Sequence, residues 1–428
     1  MSPPQTDHPG DRARDPLVWC AALAIGFFVL LQFRLHIPSK PFFDEVHYLP
    51  AARDLLLGSQ LRNPEHPMLG KQIIAVGMAW LGDGPFGWRF FSTVAGSVVL
   101  FAGMRALWFA TYARFATLSF GILLTTGFLL YVQSRIAMLD IFMLAFLGFA
   151  YWQAIAAWRE PEKGRLRLAL TGMALGLAMA SKWNALILAP LPGLAFLALR
   201  WKAGRRRLLL SRRGAPVPGI SLVEAFLWLG IVPFAVYAAT YWPAYAMLDR
   251  PPVLGLVEQH GEMLRLQRSV LEPHTYQSTW LDWMLNHRPI WYLYEMVDGR
   301  QRGVLLLGNP LTMLLGVVAL GWCLWSGLTQ QNRIALSIVA LYVVSLGFWL
   351  FSGKAVQFYY HYLLPSMFLL AALALACDRL WQSGRRYLAL APLAGSVLLF
   401  VHFFPILSAG PLSGEVAFAK WMWLDSWR

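Results

Sequence analysis

Charge is scarce in this 428-residue chain: Asp, Glu, Lys and Arg together make up 14% of it, where a soluble chain carries about 25%. That shortage excludes a soluble multidomain enzyme and equally a charged, disordered segment. Cysteine is nearly absent. Cys20, Cys323 and Cys377 lie in or beside apolar stretches at unrelated spacings, which argues against a disulfide scaffold and suggests no zinc site. Neither an internal repeat nor a low-complexity linker interrupts the chain, and no basic, aromatic-interleaved soluble module points to nucleic acid. What is present in excess is apolar surface. Hydrophobic residues reach 58%, with 20 Trp, 27 Phe and 15 Tyr, an aromatic load suited to membrane interfaces. The fold class that follows is an all-α polytopic membrane protein.

Runs long enough to cross about 30 Å of hydrocarbon are expected at 16–33, 89–110, 115–132, 138–158, 167–181, 184–200, 221–246, 304–326, 334–351, 358–377 and 387–405. Eleven spans put the two termini on opposite sides. No small-residue cleavage site follows the first span, so it reads as an anchor. Loop charge supplies the orientation. With the N-terminus in the cytoplasm, that face collects Arg12, Arg14, Arg105, Arg114, Arg159 and the run Arg205–Arg207 among others, for a net charge of +12. The opposite face keeps only +2 of the chain's +14. The whole of 1–405 then reads as one membrane domain. Two sizeable outer segments are expected within it, 34–88 and 247–303, and 406–428 forms a short, Trp-rich outer tail expected on the membrane surface. A short interfacial helix is expected in the first outer loop over 46–57, and over 73–81 either a second one or a short re-entrant piece.

Five polar clusters fall on the outer face. Phe43-Asp44-Glu45-Val46-His47-Tyr48 opens the first of them, and Glu65-His66-Pro67-Met68-Leu69-Gly70-Lys71 follows in the same loop. Ser134-Arg135 through Asp140, Ser181-Lys182-Trp183, and Lys354 leading into Tyr359-Tyr360-His361-Tyr362 complete the set. Singly, each has an ordinary structural reading. Asp44 can cap a helix, Arg135 can pair with Asp140, Lys182 can snorkel, and the tyrosines can form an interface belt. Together on one face they suit transfer from a lipid phosphate. A carboxylate takes the proton of an attacking hydroxyl, and cations stabilise charge growing on the departing phosphate. A transporter would place such groups near the bilayer midplane instead.

In these motifs, taken in order and almost end to end, the chain resembles the protein O-mannosyltransferase family of GT-C glycosyltransferases. Asp44-Glu45 is similar to its first-loop acidic motif, and His66-Pro67-Met68-Leu69-Gly70-Lys71 to its His-Pro-Pro-x-Gly/Ala-Lys segment, with Met68 in place of the second proline. Gly87-Trp88-Arg89-Phe90, Arg135 through Asp140, Ala180-Ser181-Lys182-Trp183 and His361-Tyr362-x-x-Pro365 follow. The resemblance implies an eleven-helix GT-C enzyme of bacterial type, with its active site on the outer face of the inner membrane. It implies that Asp44 and Glu45 are the catalytic pair, Asp44 as base or acceptor-orienting residue and Glu45 shaping the acceptor site, and that Arg135 contacts the donor phosphate. Side and charge add Lys182 and Lys354 to that donor site, with His47, His66, Lys71, Asp140, His361 and Tyr362 in support. The expected donor is a polyprenyl-phosphate-linked mannose. The expected acceptor is a Ser or Thr hydroxyl of a translocated protein, met at the secretion channel, with membrane lipids delivering the donor. Neither a metal nor another cofactor is expected. Another lipid-linked sugar, a lipid or polysaccharide acceptor, or a lipid-linked-sugar transporter remain as alternatives.

Overall fold

The computed structural model describes residues 15–203, 208–248, 251–269 and 272–428. Arg12, Arg14 and Arg205–Arg207 of the basic face lie outside the described residues. Among those described, eight helices are long and apolar enough to cross a membrane: Pro85–Thr111, Leu139–Arg159, Trp183–Ala203, Leu222–Ala239, Pro310–Thr329, Arg333–Phe351, Tyr359–Gln382 and Arg386–Leu407. Leu17–Gln32 and Arg114–Thr125 are apolar but shorter, and Gly164–Ser181 carries Arg165 and Arg167 in its first turn. Every expected span is therefore helical over most of its length, although eight rather than eleven meet the full requirement.

Local chemistry explains the breaks. Pro85 and Pro310 occupy first helical positions, where a missing N–H costs nothing. The run expected at 115–132 divides at Thr126-Gly127 into Arg114–Thr125 and Phe128–Gln133. The freed Thr126 carbonyl accepts from Asn309 Nδ2 at 3.3 Å. The run expected at 221–246 contains a π-turn over Leu227–Ile231 and stops at Ala239. That turn packs very closely on the Gly164–Ser181 helix. A Cβ on Gly172 would lie 1.9 Å from the Trp228 carbonyl oxygen, and one on Gly176 would lie 2.5 Å from that of Pro233. Small residues at such crossings are how helices associate without a hydrophobic drive.

The most deeply packed span is Tyr359–Gln382, lying among Pro310–Thr329, Arg333–Phe351 and Arg114–Thr125. On the opposite side Pro85–Thr111, Leu139–Arg159 and Gly164–Ser181 pack in sequence. Exposed Val18, Ile25 and Val29 on the first helix, and Phe226, Phe234 and Ile231 further on, form an apolar exterior that lipid would cover.

The two segments expected on the outer face are more structured than the sequence predicts. The first loop holds two short helices, Glu45–Leu57 and Leu69–Leu81. The second holds Pro252–Ser269, Trp280–Met284 and an antiparallel hairpin, β1 (Ile290–Val297) and β2 (Arg300–Leu306). The hairpin corrects the all-α expectation locally, and it moves the start of the span expected at 304–326 to Pro310. Its turn, Asp298-Gly299, has both φ angles positive, 51° and 69°, as a two-residue hairpin turn that matches strand twist requires. The tail differs as well. Rather than only resting on a surface, it packs back onto the protein: Trp427 Nε1 donates to the Asn286 carbonyl at 2.8 Å, and Trp421 Nε1 to that of His402 at 2.7 Å.

Candidate active site

The chain enters the first short helix through a strained step. Phe43 sits at φ 49°, a region that costs an ordinary L-residue about 1–2 kcal/mol. Its ring is held by stacking on Tyr292 of β1, centroids 3.9 Å apart, and by an edge contact with Tyr360. The hairpin itself is pinned to the same loop, because Lys40 Nζ reaches Glu295 at 2.6 Å and Ser39 N–H donates to Asp298 at 3.1 Å. This twist delivers Asp44 to the N-terminus of Glu45–Leu57, yet its side chain makes no capping hydrogen bond. The carboxylate is half-buried and left for other work; Tyr48 Oη approaches it at 3.5 Å.

Glu45 has a different fate. It is fully buried against a fully buried Arg89, Oε1 to Nε at 2.7 Å and Oε2 to Nη2 at 2.8 Å. It also accepts from Ala137 N–H at 3.0 Å and Phe42 N–H at 3.3 Å. Four donors saturate the carboxylate, so Glu45 positions the loop and holds no lone pair ready for a substrate. That corrects the expectation that it is catalytic.

A cluster of charges assembles around Asp44 from three further segments. Lys182 caps the end of Gly164–Ser181 in extended conformation and pairs with Asp140 at 2.6 Å, both side chains buried. Asp140 therefore partners Lys182, and not Arg135. The Lys182 ammonium lies 4.9 Å from the Tyr360 ring centroid. Lys354, on the loop after Arg333–Phe351, has no ion-pair partner among the described residues. Burial and the nearby Lys182 charge lower its pKa to about 8. Burial raises that of Asp44, opposed by the Lys182 charge and reinforced by that of Asp140. His66 is pushed well below its usual value by burial first, then by Lys182, Lys71 and Lys354, so its imidazole is neutral. It packs edge-on to Tyr48 at 5.8 Å.

The supporting residues divide in two. Lys71 is buried and spends its ammonium on the Asn63 and His66 carbonyls, at 2.7 and 3.0 Å, which fastens the turn that carries His66. His47 stands exposed, three residues on from Asp44 at the start of the same helix. His361 is buried between Trp349 and Tyr360, at 3.8 and 4.3 Å between centroids, and so forms the floor behind the cluster. Tyr362 turns away: its hydroxyl pairs with that of Tyr342 at 2.8 Å inside the helix bundle.

Arg135 also stands apart. Its guanidinium donates to the Leu31, Phe33 and Arg34 carbonyls at the end of Leu17–Gln32, and its charged neighbours are Arg89 and Arg34. Arginine satisfying the orphan carbonyls of a helix C-terminus is a packing role. The structure brings Lys182, Lys354, Asp140 and His66 to Asp44 and leaves Arg135 outside, which corrects the expectation that it holds the phosphate. Tyr48, Tyr292 and Tyr360 line the site as well. Tyr292 comes from the far outer segment, where no spacing in the sequence marks it.

Two family models cover most of the chain: "Dolichyl-phosphate-mannose-protein mannosyltransferase" over 80–248 and "C-terminal four TMM region of protein-O-mannosyltransferase" over 253–427. A polyprenol-phosphate-mannose–protein mannosyltransferase of Mycolicibacterium smegmatis is 26% identical, the alignment covering 100% of this chain and 95% of that protein. One of Mycobacterium tuberculosis is 27% identical over 91% and 87%. Among solved structures, a Saccharomyces cerevisiae protein O-mannosyltransferase complex bound to its sugar donor superposes with a TM-score of 0.83 at 16% identity, covering 99% and 95%. ArnT from Cupriavidus metallidurans bound to undecaprenyl phosphate gives 0.57 at 15%, covering 88% and 64%. Both structures match in fold.

Proposed function

We propose that this chain, which belongs to the protein O-mannosyltransferase family, is a membrane glycosyltransferase that moves mannose from a polyprenyl-phosphate donor to a Ser or Thr hydroxyl of a protein. The observation that carries the chemistry is the convergence on Asp44: one half-buried, uncapped carboxylate beside the Lys182–Asp140 pair and an unpaired Lys354.

Each group has a role in one displacement. Burial makes Asp44 a stronger base than an exposed aspartate, and the Lys182 charge opposes that shift. It accepts the proton of the acceptor hydroxyl as that oxygen forms its bond to C1 of the sugar. The bond from C1 to the phosphate oxygen breaks on the opposite face, and its electron pair stays on the phosphate. A β-linked donor thereby gives an α-mannoside. Lys354 stabilises the departing oxyanion; Lys182, already tied to Asp140, supports it from behind. No second acid is needed, because a phosphate leaves unprotonated. We also propose that the reaction proceeds without a bound metal, the ammonium groups supplying the charge a metal would otherwise provide.

Loop charge supports an N-terminus in the cytoplasm and an active face in the periplasm, with the donor arriving sideways from the inner membrane. On that side the acceptor is a translocated polypeptide, met at or near the secretion channel. The direct test uses detergent-purified protein, labelled polyprenyl-phosphate-mannose and a Ser/Thr-rich peptide. Label moves to the peptide with the parent protein and not with Asp44→Asn, whose melting temperature stays unchanged. Turnover by Asp44→Asn at the parental rate removes Asp44 from the mechanism.

A further inference from the structure

Beside the charged cluster, on the far side of the Lys354 loop, the outer face encloses a cavity of about 700 Å³. One wall is the irregular segment from His274 to Trp280 with Arg288 below it; the other is Trp349, Ala355 and Gln357. Ala355 directly follows Lys354, so a single short loop faces the charged cluster with Lys354 and the cavity with its neighbours.

The wall is built rather than merely exposed. His274 N–H donates to Gln277 Oε1, Tyr276 N–H to His274 Nδ1, Gln277 N–H to the His274 carbonyl, and Thr279 N–H to Asp282. Ser278 N–H crosses to the Gln357 carbonyl at 2.9 Å and joins the two walls. Arg288 Nη2 donates to the Thr275 carbonyl at 2.8 Å. From behind, Ser426 Oγ donates to the His287 carbonyl and Trp427 Nε1 to that of Asn286. An irregular segment fixed this thoroughly is preorganised, which lowers the ordering cost of binding.

We infer that this cavity is the subsite that holds the acceptor polypeptide beside the hydroxyl being modified. The inference rests on the protein-acceptor reading above and adds where the protein is gripped. A single hydroxyl offers little binding energy, so an acceptor must be held by groups remote from the reacting atoms. The lining has the character needed for a polypeptide of varied sequence. Trp280 offers an apolar face, with the edge of the buried Trp349 behind it, while Thr275, Gln277, Arg288 and Gln357 offer donors and acceptors to a peptide backbone. Its one carboxylate, Asp282, already accepts from Thr279 and faces His287 at 3.3 Å, so Arg288 is the one charge the lining offers without a carboxylate partner among the described residues. The two walls meet at the loop bearing Lys354, which lets an extended chain lie in the cavity with its next residues at Asp44.

The test uses the full-length protein in detergent with a Thr-containing peptide that carries a benzophenone a few residues from the acceptor Thr. Without donor, irradiation should attach the peptide to residues within 273–288 or 349–357. Thr275→Trp, which fills the cavity without removing a hydrogen bond made by that side chain, should raise the peptide KM by about ten-fold or more. Its donor KM and its kcat at saturating peptide should stay within about two-fold of the parent. Arg288→Gln should raise the peptide KM in the same direction, and serves if Thr275→Trp does not fold. Cross-links confined to other segments, together with an unchanged peptide KM in both variants, overturn the inference. Cross-linking blocked by free mannose or a mannosylated peptide, and not by the unmodified peptide, overturns it in favour of a carbohydrate subsite. If the parent transfers no mannose while the peptide still cross-links here, the sugar assignment fails and the subsite stands.

Discussion

The buried pair Glu45–Arg89 permits a quantitative test of the division between positioning and catalysis. Both side chains have no exposed surface, and the carboxylate accepts two hydrogen bonds from Arg89. Glu45→Ala leaves the guanidinium buried and uncompensated, a loss of about 3–5 kcal/mol. It also releases the Ala137 and Phe42 N–H groups. Arg89 further donates to the Leu35, Pro38 and Lys40 carbonyls, so the damage should spread through residues 35–45. Glu45→Leu combined with Arg89→Leu removes the stranded charge but abandons those three carbonyls, each costing about 1–3 kcal/mol if left dry. Together these losses reach about 3–9 kcal/mol, as much as the stranded charge or more, so the double variant should recover little or none of the lost stability. Melting followed by tryptophan fluorescence in detergent measures the first effect. Protease cleavage between Leu35 and Leu57 measures the local one. A Glu45→Ala protein that melts like the parent, resists cleavage in the loop and still fails to transfer mannose would refute the positioning role and make Glu45 a chemical participant.

Lys354 is charged below its pKa of about 8, so kcat/KM for the donor should fall as pH rises through that value; Lys354→Arg, charged throughout, should remove this alkaline limb. A parental profile that stays flat well above pH 8, or a limb retained in Lys354→Arg, counts against the phosphate role. Arg135→Ala should lower the melting temperature by freeing the end of Leu17–Gln32, with the donor KM nearly unchanged; a large rise in donor KM without loss of stability returns Arg135 to the phosphate. Tyr292→Ala removes the ring that holds Phe43 in its left-handed step, an aromatic pair worth about 0.5–1.5 kcal/mol. It should lower kcat by roughly two- to ten-fold, whereas Tyr292→Phe, losing only the bond from Gln133, should stay near the parent. Equal effects of the two substitutions would assign the role to the hydroxyl.

Much of this architecture was legible because the membrane imposes it. A backbone in hydrocarbon must satisfy its own hydrogen bonds, so a long apolar run is almost committed to helix, and loop charge then sorts the ends. Sequence resolves less where backbone groups find partners from far away. The break at Thr126-Gly127 depends on Asn309, which periodicity within one span does not reveal. The hairpin is another matter, because Asp298-Gly299 between the apolar, aromatic run of β1 and the Val304–Leu306 stretch of β2 is a strong local hairpin signal. Its setting in a long outer segment of a helical membrane chain obscured it.

Residue type and expected side of the membrane singled out Asp44, Lys182 and Lys354, and the structure brings these three side chains within electrostatic reach of one another, because an ionisable group at the end of a span has few places to go. What sequence could not supply is which of several charges joins the cluster at Asp44 and which is spent on a neighbour. Asp44 and Glu45 are adjacent on one helix turn, yet the positive φ at Phe43 and the reach of Arg89 send one carboxylate to the lysines and bury the other. Arg135 and Lys182 look interchangeable as cations at outer helix ends. The difference lies in what surrounds them. Five N–H groups in a flat fork suit a cluster of helix-end carbonyls, and Leu17–Gln32 ends where Arg135 can reach its last carbonyls. An ammonium on a flexible stem instead follows the nearest carboxylate, which for Lys182 is Asp140. Lys354 has no such partner among the described residues, which is the basis for proposing it as the cation that meets the phosphate.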